Sequence, residues 1–199
     1  MIYGSRSHLL DDLSEYSSHH KFSFKIECQD SRLVVPERLI VGRHDDEAVV
    51  HVILKALSFL IFFRERLQMG GHLHNENIPF IPDVLQLDYD GRPTFWAECG
   101  PSDPARLKKI VAKAPDAEIW WVRETTEEMP QMPARLKKAG VRAGRIRMLG
   151  FPEDMITGLC QSLRAKNEIF WMPAAFDPPS LQFDFNNEWI EAPFEIGEY

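Results

Sequence analysis

The residues best suited to chemistry lie in one stretch, IPDVLQLDYDGRPTFWAECG at 81–100, which carries the acids Asp83 and Glu98. Alternating apolar residues either side of Asp90-Gly91 predict a β-hairpin closed by a two-residue turn. That turn puts Tyr89 opposite Arg92, so paired positions sum to 181 and Asp83 faces Glu98. Directly opposed residues have Cβ atoms about 4.5–5.5 Å apart. Two carboxylates at that separation need a proton, a basic neighbour or a divalent cation between them. Gly100 shares the face of Glu98, because strand side chains repeat every two residues. Asp88 belongs to the opposite face, roughly 17 Å along the strand, and reads as a polar residue of the turn.

The elements that must position this hairpin follow from periodicity. KFSFKIEC (21–28) alternates, with Phe22, Phe24, Ile26 and Cys28 on one face, and ERLIVG (37–42) is a second strand. The segment 45–68 predicts a long helix with Asp45 and Asp46 as caps, Glu47 in its first turn, and Arg64 and Arg66 at its far end. Its centre, VVHVILKALSFLIFF, is apolar almost all round. At 15 residues, with His51 and Lys55 inside it, it suits a buried central helix rather than a membrane span.

After the hairpin, Asp103-Pro104 opens a helix over 103–114, with Leu107, Ile110, Val111 and Ala114 as its apolar stripe. Strands are predicted at 117–122, 145–150 and 168–173, and helices at 132–140 and 152–166, the first closed by Gly140. Interleaved strands and helices define an α/β protein with a mixed central sheet flanked by helices. The expected organisation is a polar leader (1–20), one domain (21–171), and an acidic, aromatic tail (172–199) that wraps over the core or stays mobile.

Composition narrows the classes. An apolar share of 44% and a charged share of 27% fit one globular domain. Three isolated cysteines argue against a disulfide or zinc framework, and the N-terminus lacks the order of a signal peptide, so a cytoplasmic location is expected. The net charge of −7 disfavours indiscriminate nucleic-acid binding. Six acids and no Lys or Arg lie in 172–199, however, which leaves the rest close to neutral. A nucleic-acid partner therefore stays open, as does a basic protein docking on the tail.

Pro82-Asp83, fourteen residues, then Glu98-Cys99-Gly100 resembles the PD-(D/E)-x-K nuclease signature. A longer resemblance is to the YaeQ family, taken as a branch of that fold. It is carried by GRHDDE (42–47), RERLQM (64–69), IPD (81–83), TFWAECGPSD (94–103) and ARLKKI (105–110). The resemblance implies a restriction-endonuclease-like core in which Asp83 and Glu98 hold Mg²⁺ or Mn²⁺, with Glu47 as a third ligand and Arg43 and His44 as neighbours. It also implies a lysine that activates water. Gly100 stands where that lysine belongs, so a migrated cation is needed. On the helical wheel of 103–114, Arg106 and Lys108 flank the stripe, Lys108 being the first choice and Lys109 the second.

Plainer alternatives accompany each residue. Asp83 could cap a turn after Pro82, and Glu98 could face solvent at a sheet end. His72 and His74 could be paired ligands but read as a solvated loop, as do His19 and His20. The basic run 135–147 reads as a solvated face, and Cys99 and Cys160 as core cysteines. The implied function is Mg²⁺-dependent phosphodiester hydrolysis. The competing function is an inactive nuclease-fold binding protein whose acids are tied into salt bridges.

Overall fold

The fold is that of a computed structural model in which residues 20–70, 78 and 80–199 are described. The residues of the leader up to His19, and His72 and His74, lie outside them. In place of one central sheet the described residues build two. In chain order the elements are β1 (His20–Cys28), β2 (Arg38–Arg43), α1 (Val49–Ile61), β3 (Gln68–Met69), β4 (Val84–Leu87), β5 (Pro93–Cys99), α2 (Pro104–Lys113) and β6 (Glu118–Arg123). They continue with α3 (Met132–Ala139), β7 (Arg147–Gly150), α4 (Glu153–Ser162), β8 (Lys166–Trp171), β9 (Ala175–Phe176), β10 (Pro179–Phe185), β11 (Glu188–Pro193) and β12 (Glu195–Glu198). The first sheet runs β11-β10-β8-β1-β2, with β9 on β10, and the second β12-β7-β6-β5-β4-β3.

Helix α1 lies in the core between the two sheets. Its side chains share one apolar cluster with Phe24 and Val41 of the first sheet, Ala97 and Val122 of the second, and Phe183 of β10. A helix covered on all sides must be apolar on all sides, which accounts for its sequence. The helix is nevertheless 13 residues, not the long one expected. Asp45 and Asp46 do not cap it; Ala48 occupies the cap position without a side-chain bond. At the other end the chain leaves the helix because its next residues find tertiary partners. Arg64 bonds the Phe62 carbonyl and Glu118 and stacks over Phe95, and Arg66 adopts a positive φ.

The opposite face of the second sheet carries α2 and α3, the crossovers between parallel strands β5, β6 and β7. Both helices start and stop as their sequences dictate. The Asp103 carboxylate accepts the Arg106 N–H ahead of Pro104, and Gly140 ends α3 in the left-handed conformation. The tail pairs with both sheets: β10 joins β8 and β12 joins β7. Among the described residues, no helix is long and apolar enough to cross a membrane.

The hairpin reaches the expected register by an unexpected route. Its loop is three residues, with Asp88 N–H donating to the Arg92 carbonyl and Gly91 at φ 75°. Asp88 holds this turn, its carboxylate accepting the N–H groups of Asp90 and Arg92. That shifts Leu87 opposite Pro93, one position off. A bulge next to Gln86 then restores the predicted offset, so Val84 faces Ala97 and Asp83, just before the strand, lies level with Glu98.

Candidate active site

At the end of the β4–β5 hairpin lies a groove of about 980 Å³, where three chain segments bring acids and bases together and Lys21 of β1 with Ile40 and Gly42 of β2 add to the lining. From α1 and the turn before it come Glu47, His51 and Lys55. His51 and Lys55, four residues apart, share one face of the helix, and Glu47, just ahead of the cap, is brought to them by its bonds to Lys55. From the hairpin come Asp83 and Glu98, and from α2 comes Arg106.

The Lys55 ammonium donates to both oxygens of Glu47, at 2.7 and 2.8 Å, and lies 3.6 Å from Asp83 Oδ1. Asp83 Oδ2 accepts the Cys99 backbone N–H at 2.7 Å, which fastens the carboxylate to the end of β5. Glu98 accepts from the Arg106 guanidinium on one oxygen and from the Trp96 indole N–H, at 3.3 Å, on the other. Arg106 also stacks on Phe80, 4.3 Å from the ring centre.

Burial raises the Asp83 carboxyl above the usual carboxylate range; Lys55, the Cys99 N–H and His51 pull it down, and the Glu47 charge adds to the rise. Glu98 is raised as well, by burial first and then by the charge of Asp83, against the pull of Arg106. Burial also works to raise Glu47, but its bonds to Lys55 and the His44 N–H outweigh it and hold the carboxyl below its ordinary value. The Cys99 thiol, buried and close to Asp83, lies well above the usual thiol range. Four carboxylates, Asp46, Glu47, Asp83 and Glu98, thus share the groove with Lys21, Lys55 and Arg106, and burial disfavours the charged forms of Asp83 and Glu98.

Glu47, Asp83, Glu98 and His44 line the groove, whereas Arg43 ends β2 with its Nε buried and without a hydrogen bond. Lys108 points elsewhere. Its ammonium lies where a Cβ on Gly140 would be 3.4 Å away, beside the C-terminus of α3. Lys109 lies 6.0 Å from the centre of the Phe80 ring. At about 100° per residue, Lys108 is turned roughly 200° from Arg106, so the flank facing Glu98 excludes it. The cation nearest Asp83 is Lys55, which the sequence reading passed over. Two polar residues four apart, His51 and Lys55, in an otherwise apolar helix are the signal that marks it.

Among the described residues, no group of three or more His, Cys, Asp or Glu is arranged to hold a metal ion. Mg²⁺ needs fewer protein ligands: it commonly takes one or two carboxylates and completes its shell with water and substrate phosphate. Asp83 and Glu98 are hard oxygen donors whose charged forms burial disfavours, a cost that a nearby cation would offset, and Asp83 Oδ1 has no hydrogen bond among the described residues. The donor set fits such an ion in charge and chemistry.

Fold and groove together define a mixed α/β protein with an acid-lined cleft at the end of an antiparallel hairpin in a mixed sheet. A family model described as YaeQ protein matches residues 14–171, and the chain belongs to the YaeQ family. The chain is similar in fold to the YaeQ protein of Xanthomonas axonopodis pv. citri, at 16% identity and a TM-score of 0.70, over 91% of this chain and 99% of that one. It is similar to the YaeQ protein of Pseudomonas syringae at 17% identity and a TM-score of 0.69, over 92% and 98%. No functionally curated protein matches the chain.

Proposed function

We propose that the groove hydrolyses phosphodiester bonds of a nucleic acid with a divalent cation, Mg²⁺ or Mn²⁺, held by Asp83 and Glu98. The observation that carries this is the delivery of the Lys55 ammonium to Asp83 by α1, from the side of the hairpin where Gly100 supplies no cation. It is the arrangement a PD-(D/E)-x-K-like nuclease with a migrated lysine would have. A bound divalent cation would supply Lewis-acid charge that eases deprotonation of water and offsets phosphate charge. Lys55 would stabilise the charge that develops on phosphate oxygens. Glu47 would hold the ammonium in place, and Arg106 would fix the orientation of Glu98. Without the added cation the groove carries too much negative charge to attract a phosphodiester.

The test is a Mn²⁺ titration by calorimetry beside cleavage assays on single- and double-stranded DNA and RNA. Binding and cleavage are expected in the wild type and absent in Asp83→Ala and Glu98→Ala, with Lys55→Met binding metal but not cleaving. A folded wild type that neither binds Mn²⁺ nor cleaves would refute the proposal. It would leave the second function, a binding protein of nuclease-like fold, which draws on the pairing of Glu47 with Lys55 and Glu98 with Arg106. A docking role for residues 172–199 has less support. Asp184, Glu188 and Glu191 bond residues of the chain itself, and Glu198 pairs with Arg147.

A further inference from the structure

General-base catalysis of hydrolysis in this groove needs a side chain that can take up a proton. Lys55 is engaged as an ammonium by Glu47 and Asp83, and Arg106 is a permanent cation. His51 can do it. Its Nε2 lies 2.8 Å from the backbone carbonyl of Cys99. A carbonyl oxygen only accepts, so Nε2 carries the hydrogen and, in the neutral ring, Nδ1 carries the lone pair. Among the described residues Nδ1 has no hydrogen bond, and the residue lines the groove.

The ring is also held in place by a missing side chain. Gly100, with φ 74°, follows Glu98 and Cys99, and a Cβ there would come within 2.6 Å of the His51 Cε1 and 2.7 Å of its Nε2. The imidazole therefore fills the space that a side chain at position 100 would claim. A side chain from α1 thus stands where one at position 100, just past β5, would project.

We infer that His51 is the general base of the groove. Its Nδ1 takes a proton from the attacking water as the water oxygen bonds to phosphorus. The bond from phosphorus to the leaving oxygen breaks, its electron pair stays on that oxygen, and solvent supplies the proton that neutralises it. His51 then returns its own proton to solvent. This inference rests on the phosphodiesterase function proposed above.

The experiment uses the full chain with Mn²⁺ and the nucleic acid that the wild type cleaves, comparing wild type, His51→Gln and His51→Ala. Gln keeps an N–H donor for the Cys99 carbonyl but cannot act as a base. A loss in kcat of roughly 10²–10⁴-fold in His51→Gln, with KM unchanged, is expected for general-base catalysis. Added imidazole should restore part of the rate to His51→Ala. Long-range ¹H–¹⁵N NMR should find the Nε2–H tautomer in the wild type. Cleavage within about threefold of wild type in His51→Gln, failed rescue by imidazole, or an Nδ1–H tautomer each overturns the role of His51 while leaving the nuclease standing. A wild type that cleaves no DNA or RNA removes the hydrolytic function itself, and the base with it.

Discussion

Replacing Lys55 by Met keeps the length and apolar stem of the side chain while removing its charge. Glu47 then loses both of its ammonium hydrogen bonds, and Asp83 loses its nearest cation at 3.6 Å. The side chains of Lys55, Glu47 and Asp83 are 9%, 19% and 15% exposed, so this is a nearly buried triad. Breaking a buried pair by removing one partner costs about 3–5 kcal/mol, and the residual exposure favours the lower end. A loss of about 3 kcal/mol at neutral pH lowers Tm by about 6–12 °C for a chain of this size. The pH dependence has a definite sign. The lowered Glu47 carboxyl contributes stability above its unfolded pKa that disappears as pH falls through the folded value, and Lys55 is a principal source of that lowering. Asp83 works in the opposite sense. Raised by burial, it favours the fold at low pH and loses that contribution as pH rises, more so once Lys55 is gone. Both effects make the gap between wild type and Lys55→Met widest near neutrality and narrow it in acid. Urea denaturation followed by circular dichroism, at about pH 7 and about pH 4, measures the gap. A difference below about 1 kcal/mol at neutral pH, typical of an exposed pair, or one that does not shrink in acid, refutes the reasoning.

Three further substitutions probe local supports of the fold, two of them beside the groove. Gly100→Ala places a Cβ against the His51 ring at φ 74° and should cost about 3 kcal/mol by thermal denaturation, falling to about 1 kcal/mol in a His51→Ala background where only backbone strain remains. Asp103→Ala removes the cap of α2 and should cost about 1 kcal/mol, with faster amide exchange at Arg106. Asn186→Ala leaves a left-handed residue without the side chain that bonds Glu168 N–H, the Ser162 carbonyl and Asn167. It should cost about 3 kcal/mol, and exchange protection at the Glu168 amide should drop with it.

Local signals were legible where a few neighbouring residues decide the outcome. Asp103-Pro104 and Gly140 bracket their helices as capping chemistry requires, and alternation in 21–28 places Phe24 and Ile26 in the core. The hairpin register emerged correctly from two offsets that cancel, a three-residue loop and a bulge, neither of which the Asp90-Gly91 dipeptide reveals. Helix α1 was overextended because apolar residues continue through Phe62 and Phe63, and only the pull of Glu118 and Phe95 on Arg64 shows where the chain turns. The tail carried a readable sign in Asn186-Asn187, both at positive φ, between the apolar residues of β10 and β11. Within the groove, Asp83, Glu98 and Glu47 were visible as acids that could converge. Lys108 was ranked first, ahead of Lys109, because a helical wheel gives the angle between side chains but not which flank meets a neighbour. That depends on the second sheet, which no local pattern announces.

The parallel pairing of β1 with β8 has a consequence in time. Ser23 sits beside Lys166, so one edge of the first complete strand waits for residues made some 143 positions later. At about 5–20 residues per second of synthesis, roughly 7–30 s pass before its partner has even been made. During that interval β2 can occupy one side of β1, but the other presents unpaired backbone donors and acceptors, the kind of edge that recruits strands from other chains. Chains halted anywhere between Arg43 and Lys166 share this open flank, and on them β1 is an edge open to pairing with a strand of another chain.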